Sequence, residues 1–233
     1  LTSPTVKSAV YGERINLTWL EATRQIAGKL KAAKGMAGIA SGRATTEELF
    51  LFNKLARQVL SAGLVDIVPQ TGQADGKLLQ ADRNPNTAGA RLTGVATGHL
   101  PKIRDGIKAG TIKTLIVLGE DAVEVELLKK LELLVVIDTL PNKTTEVAHY
   151  VLPGTTFAEK RGTFINAKNR LQRFNAAIPP VGIARPEWQT LTALLGANYA
   201  AIEEVFADMA RTLPALVGLN LSKIGDWGVE LKI

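Results

Sequence analysis

The sequence predicts an α/β fold in which a Rossmann-like, mostly parallel sheet carries helices on both faces. Two observations favour this fold. Residues 114–118, TLIVL, and 133–137, LLVVI, are continuous apolar runs of the kind that forms strands buried on both faces. Amphipathic helical patterns alternate with apolar runs along the chain, as they do in parallel sheets covered by helices.

The first predicted unit is a helix followed by a strand. Thr18 and Glu21 have the spacing of a capping box, which marks the start of the helix. Apolar residues then recur at helical spacing and predict one buried stripe, made of Leu20, Ile26, Ala27, Leu30 and Ala33. We expect Gly35 to end this helix and residues 36–40 to form a short strand.

The second unit repeats this order. Thr45 and Glu48 form another predicted capping box. The helix that they open has an apolar face made of Leu49, Phe52, Leu55, Ala56, Val59 and Leu60. Gly63 ends the predicted helix, and residues 65–68 form the next predicted strand. Residues 69–98 are then expected to be a long loop pinned by Leu78 and Leu79, and loops of that length are often functional.

Regular structure is predicted again after this loop. The expected elements are helices at 100–109 and 120–131, a turn or two of helix at 142–148, a short final strand at 150–152, and helices at 187–195 and 199–212. The domain prediction is one α/β domain over residues 1–196, built from two segments joined near 69–98. Residues 197–233 are predicted to form a C-terminal helix and tail.

Composition excludes several classes of protein and site. The chain has 233 residues, a net charge of +6 and no cysteine, so it contains no disulfide and no cysteine-ligated iron–sulfur cluster or metal. The basic residues are spread along the chain without interleaved aromatics, which favours a solvated face over a nucleic-acid surface. No apolar window approaches the roughly 18 residues of a membrane helix, so no membrane insertion is expected.

Two strand ends carry candidate ligand-binding residues. Gly119, Glu120 and Asp121 lie where a predicted strand turns into a helix, which is the favoured ligand position in open α/β sheets. The two carboxylates would repel phosphate and could accept from a guanine-like or pterin-like amine, or they could simply stabilise the helix start. Asp138 and Thr139 end the next strand and could bind a ribose or amine, or cap the following segment.

The segment 151–172, VLPGTTFAEKRGTFINAKNRLQ, concentrates Gly, Thr, Asn, Arg and Gln in one predicted loop. Such a composition can hold a polar, phosphate-bearing ligand. It can equally form a rigid structural loop that binds nothing.

Several stretches together resemble the molybdopterin oxidoreductase superfamily. They are LIVLGEDAVE, LELLVVIDTLPNKTTEVAHYVLPGTTFAEKRGTFINAKNRLQRF, SGRATTEELFLFNKLAR and ADRNPNTAGAR. The resemblance covers roughly residues 1–196 and is most specific between Leu115 and Leu195. It is strongest to the large iron–sulfur subunit of NADH-quinone oxidoreductase, which is respiratory complex I, with formate dehydrogenase catalytic subunits as the other near match. It implies a core like that of formate dehydrogenase and dimethyl sulfoxide reductase.

The resemblance also implies a cofactor site. In catalytic members, the matching positions line a molybdopterin guanine dinucleotide, and here they are Gly119, Glu120, Asp121, Asp138, Thr139, Gly162, Thr163, Asn166, Arg170 and Gln172. An Asn amide can recognise a guanine or pterin edge, and Arg pairs with phosphate. Because the chain lacks cysteine, we expect a vestigial site with no cofactor, no catalytic residue and no metal ligand in this chain. Any iron–sulfur clusters would then lie on other segments or partner subunits.

Two functions follow as hypotheses. The first is a non-catalytic scaffold domain of a complex I-like NADH:quinone oxidoreductase. We expect it to be cytoplasmic, either free or at the cytoplasmic face of the inner membrane as part of that complex. Its expected partners are the other subunits of the complex, and no nucleic acid. The alternative is a molybdopterin guanine dinucleotide-binding domain of a formate dehydrogenase-like oxidoreductase.

Overall fold

The computed structural model describes residues 1–8, 10, 12–59 and 64–233, and a seven-stranded sheet forms its centre. The strands are β1 (Thr5–Lys7), β2 (Arg14–Asn16), β3 (Met36–Ala40), β4 (Val65–Ile67), β5 (Thr114–Leu118), β6 (Leu133–Asp138) and β7 (Tyr150–Pro153). Their order is β2-β1-β7-β6-β5-β3-β4, with β3 to β7 parallel and β1 and β2 antiparallel. The predicted α/β fold is confirmed.

A second, antiparallel sheet has three strands in the described part of the chain. They are β8 (Gly162–Ile165), β9 (Arg170–Phe174) and β10 (Val229–Glu230), in the order β10-β9-β8. The segment 151–172 is therefore not the single loop that its composition predicted. Thr163 and Ile165 of β8 and Leu171 of β9 are buried, whereas Phe164 and Gln172 between or beside them are not, as expected of strands with one buried face.

The helices are α1 (Trp19–Ala32), α2 (Thr46–Gln58), α3 (Thr87–Leu92), α4 (Leu100–Lys108), α5 (Val125–Leu128), α6 (Lys143–Val147), α7 (Glu187–Leu195), α8 (Ile202–Thr212) and α9 (Leu221–Ile224). Both predicted capping boxes form at the starts of α1 and α2. In the second, the Thr45 amide donates to Glu48 at 2.8 Å and the Glu48 amide donates to the Thr45 hydroxyl at 3.2 Å. These contacts satisfy backbone groups that a helix start leaves free.

The sheet separates two hydrophobic cores. In β5, Ile116 and Leu118 face a core covered by α1, α2, α7 and α8, whereas Leu115 and Val117 face a core covered by α4 and α5. Such burial on both faces explains the continuous apolar runs of β5 and β6. Phe206 of α8 belongs to the first core, so the C-terminal segment packs on the same layer as α2. A domain boundary at residue 196 stays a prediction.

The predictions for Leu20 and for the loop at residues 69–98 need correction. Leu20 is 67% exposed, because the buried stripe of α1 consists of Trp19, Ala22, Ile26 and Leu30, and Leu20 lies about 100° around the helix from Trp19. Leu78 and Leu79 are exposed and pin nothing, while α3 forms inside the predicted loop.

The expected helix over 120–131 is reduced to α5 (Val125–Leu128). Asp121 explains the late start, since its carboxylate accepts hydrogen bonds from the amide and hydroxyl of Thr144, at 3.1 and 2.6 Å. The predicted positions of Leu60 and Gly63 lie outside the described residues.

Candidate functional site

The candidate site is a cavity of about 430 Å³ at the carboxyl ends of the parallel strands. Strand β3 lies between β4 and β5, so the chain extends the sheet on one side of β3 and then returns to its other side. The crevice at such a reversal of strand order is the usual ligand site in open α/β sheets. Ser41 follows β3 and Gly119 follows β5, and both line the cavity.

Gly119 keeps the backbone open to a ligand. Its φ of +65° lies in the left-handed region, which glycine adopts without strain. A Cβ atom added there would meet only the Cβ of Ser41 within 4 Å, at 3.6 Å. A ligand can therefore approach the main chain closely at this strand end.

Glu120 is held beside the cavity by groups from the β3 end. The Ser41 hydroxyl donates to its carboxylate at 3.0 Å, and the Arg43 guanidinium lies 3.4 Å from the same oxygen. Burial raises the pKa of Glu120 in spite of these contacts. Arg43 also donates to the carbonyl of Gly119 at 3.0 Å and stays 57% exposed at the cavity rim. A guanidinium has five donors, so Arg43 retains donors for an anionic group.

Asp138 forms part of the cavity wall at the end of β6. The Thr139 amide donates to one carboxylate oxygen at 2.7 Å, and the Asn142 side chain donates to the other at 2.8 Å. Burial raises the pKa of this carboxyl. Each oxygen has two lone pairs, so the group can still accept from N–H donors of a ligand.

The opposite side of the cavity contains a buried ion cluster, which we call the helix-side wall: Glu48, Lys160 and Glu187. The Lys160 ammonium lies 2.9 Å from Glu48 and 2.8 Å from Glu187, and its side chain is only 5% exposed. Burial lowers the pKa of Lys160, but the two carboxylates outweigh burial and raise it in net. Burial, together with the Glu48 charge, raises the pKa of Glu187.

Aromatic side chains stand at the mouth of the cavity. Phe157 is 72% exposed on a short 3₁₀ turn after β7. Phe164 of β8 also lines the cavity and stacks on Phe174, with ring centroids 4.9 Å apart. Ala44 and Pro85 add further apolar surface. A polar floor and a largely apolar mouth are the usual composition of a small-molecule site.

The strand-end residues singled out from the sequence divide into two groups. Gly119, Asp138 and Thr139 line the cavity, and Glu120 lies against it through Ser41 and Arg43. Asp121 is instead bound to Thr144.

The hairpin residues singled out from the sequence make protein contacts. Among the described residues that line the cavity, none is Gly162, Thr163, Asn166, Arg170 or Gln172. Thr163 donates from its amide and hydroxyl to Glu47, at 2.9 Å each. Asn166 accepts from the Arg170 amide at 3.0 Å and donates to Gln172 at 3.2 Å. A cofactor contact for these five positions stays a prediction.

Sequence reasoning missed most of the cavity residues, among them Ser41, Arg43, Glu48, Lys160 and Glu187. The first two had a usable signal, because they follow a predicted strand just as Gly119 does. Lys160 had none, since its partners Glu48 and Glu187 lie 112 and 27 residues away in sequence.

Comparison with known proteins identifies the family. The model of the molybdopterin oxidoreductase family matches residues 63–197, which is more than half of the chain. The chain belongs to the molybdopterin oxidoreductase family.

Similar proteins include subunits of several oxidoreductases. The chain is 37% identical over 139 residues to F420-dependent formate dehydrogenase 1 subunit alpha of Methanococcus maripaludis, covering 53% of this chain and 21% of that protein. It is 39% identical over 114 residues to NADPH-Fe(3+) oxidoreductase subunit alpha of Geobacter sulfurreducens, covering 46% and 14%. The chain thus spans only about a fifth or less of these relatives. Acetylene hydratase from Pelobacter acetylenicus is a solved structure with a TM-score of 0.44 and 15% identity, over 60% of this chain and 22% of that chain.

The family match corrects the expectation that this chain has no cofactor. That expectation rested on the absence of cysteine, but the residues that match the family model include the strand ends after β5, β6 and β7. Cysteine is a ligand for metals and clusters, whereas the organic part of a molybdopterin cofactor needs hydrogen-bonding and apolar surfaces. The absence of cysteine therefore does not argue against cofactor binding.

Among the helices of the described residues, none has the length and hydropathy that a membrane-spanning segment needs.

Proposed function

We propose that this chain is a molybdopterin cofactor-binding domain of a formate dehydrogenase-like oxidoreductase. One observation carries the proposal: the cavity at the reversal of strand order lies within a chain of the molybdopterin oxidoreductase family. The relatives named above are formate dehydrogenase and NADPH-Fe(3+) oxidoreductase subunits, so they favour this function over a complex I scaffold.

The residues present fit a guanine nucleotide portion of the cofactor. Gly119 leaves open the space that a side chain would fill, and a volume of about 430 Å³ is in the range for one nucleotide-sized group. Asp138 supplies acceptors for the N–H edge of a guanine or pterin. Carboxylates outnumber cations around the cavity floor, which disfavours a phosphate there.

The same charges suggest an orientation for the ligand. A base would lie inward, with its N–H edge toward Asp138, and a phosphate would lie outward, at exposed Arg43. The molybdopterin group, when bound, supplies the metal-centred redox chemistry. The residues of this chain would bind, orient and partly shield it from water.

Partners are expected to be other subunits of a multi-subunit oxidoreductase. The two relatives described above are both named as alpha subunits, and this chain spans only a part of their length. The remaining electron carriers would lie outside this chain.

Cofactor analysis tests the proposal. The chain would be produced in a host that makes molybdopterin cofactors, then denatured and oxidised. We expect pterin fluorescence, and molybdenum by mass spectrometry, at close to one per chain. Finding neither would contradict the proposal.

A glycine pair gives a matched control. In Gly119→Leu, the new side chain would occupy the cavity, so we expect most of the pterin to be lost. Gly110 has a similar φ of +73° and nothing within 4 Å of an added Cβ, but it lies at the other end of β5. Gly110→Leu therefore adds the same backbone strain and should retain the cofactor.

A further inference from the structure

We infer that Phe157 is the stacking residue of the cavity and positions the planar heterocycle of a bound nucleotide. This inference rests on the proposed function and assigns to it a residue that neither the sequence motifs nor the comparisons single out. It is argued from the exposure of Phe157, the rigidity of its turn and the chemistry of the cavity mouth.

The exposure of Phe157 is unusual for its position. Of the large apolar side chains that are exposed in the described part of the chain, Phe157 is the one that lines the cavity. With 72% of its surface in water, the ring contributes little to the core. A ligand that covered the ring would remove this apolar surface from water and gain binding free energy from its burial.

The turn that carries Phe157 is fixed on both sides. Thr156 donates from its amide and its hydroxyl to Glu159, at 2.8 Å each. The other Glu159 oxygen accepts from the Val181 amide at 3.1 Å, and the Ala158 carbonyl accepts from the Ala177 amide at 2.7 Å. The backbone that carries the ring is therefore held in place before any ligand arrives, so less backbone entropy is lost on binding.

The ion cluster of the helix-side wall strengthens this anchorage. Lys160 is three residues after Phe157, and its ammonium joins the turn to Glu48 of α2 and Glu187 of α7. Because those helices pack in the core, the turn cannot move without breaking buried ion pairs. Lys160 is thus a positioning residue for Phe157.

The mouth of the cavity suits a flat, uncharged ring system. Phe157, Phe164 and Pro85 supply apolar surface there, and Asp138 supplies acceptors deeper in the cavity. A purine or pterin has two π faces and an edge of N–H donors, so it can stack on the aromatic ring while its edge reaches Asp138. A simple inorganic anion would leave the exposed ring uncovered.

Guanosine 5′-monophosphate serves as the probe, with the complete 233-residue chain. In Phe157→Ala, we expect its affinity by calorimetry to fall roughly 5- to 100-fold, because stacking of a base on an aromatic side chain has about that effect. Leu140→Ala is the matched control: Leu140 is 68% exposed, follows cavity residue Thr139 and is not a lining residue, so this variant should bind like the wild type.

Phe157→Trp gives a direct readout of stacking. The probe should bind with nearly unchanged affinity and quench the added tryptophan fluorescence. In the wild type none of the three tryptophans, Trp19, Trp188 and Trp227, lines the cavity, so quenching should be smaller. If the probe binds the wild type, but Phe157→Ala binds it equally well and Phe157→Trp shows no quenching, the role of Phe157 is refuted and the proposed function stands. If the wild type binds no probe and carries no pterin, both are refuted.

Discussion

The two sides of the cavity differ in how their charges are satisfied. On the helix-side wall, Lys160 lies within 3 Å of both Glu48 and Glu187, and all three side chains are less than a tenth exposed. At the strand ends, Asp138 accepts from an amide and an Asn side chain, and Arg43 is mostly in solvent. The first side is closed by its own contacts and holds the fold, while the second keeps free lone pairs and donors for a ligand.

The largest effect is expected from breaking the helix-side wall. Lys160→Met leaves two buried carboxylates without their cation, and losing one partner of a buried pair costs about 3–5 kcal/mol of unfolding free energy. Urea unfolding at pH 8 should show this loss, and a smaller one at pH 5, because burial raises the pKa of Glu187 and this carboxylate can then take up a proton. Lys113→Met removes an exposed pair with Glu132 and should cost less than about 1 kcal/mol. Equal losses in the two variants would contradict the role of the cluster.

The next effect concerns Glu47, which is fully buried and accepts hydrogen bonds from Thr163. Burial is the main cause that raises its pKa from 4.5 to about 7, and the Glu48 charge contributes in the same direction. Because the Glu47 carboxyl has a higher pKa in the folded than in the unfolded state, it binds its proton more tightly when folded. Its contribution to the free energy of unfolding is therefore fully present below pH 4.5 and is lost as the pH rises to about 7. The loss is about 3 kcal/mol.

Glu47→Gln tests this dependence, because the amide mimics the protonated acid. The variant should lose less stability than the wild type between pH 4.5 and 8 in thermal or urea unfolding. Glu132→Gln, at an exposed carboxylate, should follow the wild-type profile. Parallel profiles for wild type and Glu47→Gln would show that Glu47 titrates normally.

A smaller effect on stability is expected at the strand ends. Asp138→Asn keeps the shape but places an amide donor near the Asn142 side chain, so about 1 kcal/mol should be lost. Binding of guanosine 5′-monophosphate should fall more, roughly tenfold or beyond, because a charged acceptor is removed. Asp121→Asn alters a carboxylate with similar protein contacts outside the cavity and should leave binding unchanged.

The smallest effect on stability is expected for Arg43→Ala. The side chain is 57% exposed, so its ion pair with Glu120 contributes about 0.5 kcal/mol or less. Its removal should weaken binding of guanosine 5′-monophosphate and leave binding of guanosine, which lacks the phosphate, unaltered. Equal weakening of both ligands would place Arg43 at the base and reverse the proposed orientation.

The sequence predicted the elements that local chemistry determines. The capping boxes at Thr18 and Thr45 and the strands β5 and β6 are local patterns, and all of them form as expected. The strand-end positions also singled out Asp138 and Gly119, which line the cavity. The prediction that this chain has no cofactor was wrong, because it treated the absence of a metal ligand as the absence of a binding site.

Long-range contacts account for what the sequence could not predict. Lys160 lies in a polar stretch, and nothing near it in sequence indicates burial between two carboxylates. The composition of the β8–β9 hairpin predicts a loop, because Gly162 and Asn166 are residue types typical of turns. Its strand character depends on Thr163 pairing with Arg173 and binding Glu47, both of which require the tertiary fold.

The antiparallel pair β1 and β2 has a consequence for solubility. β7 is buried along its whole length, and β1 covers its outer side by pairing Val6 with Tyr150. Without β1, an apolar strand would present unpaired backbone groups to other chains, which is a template for aggregation. The outermost strand, β2, is short, exposed and carries Arg14, features that discourage such pairing. β1 and β2 thus protect the edge of the sheet that forms the site from pairing with other chains.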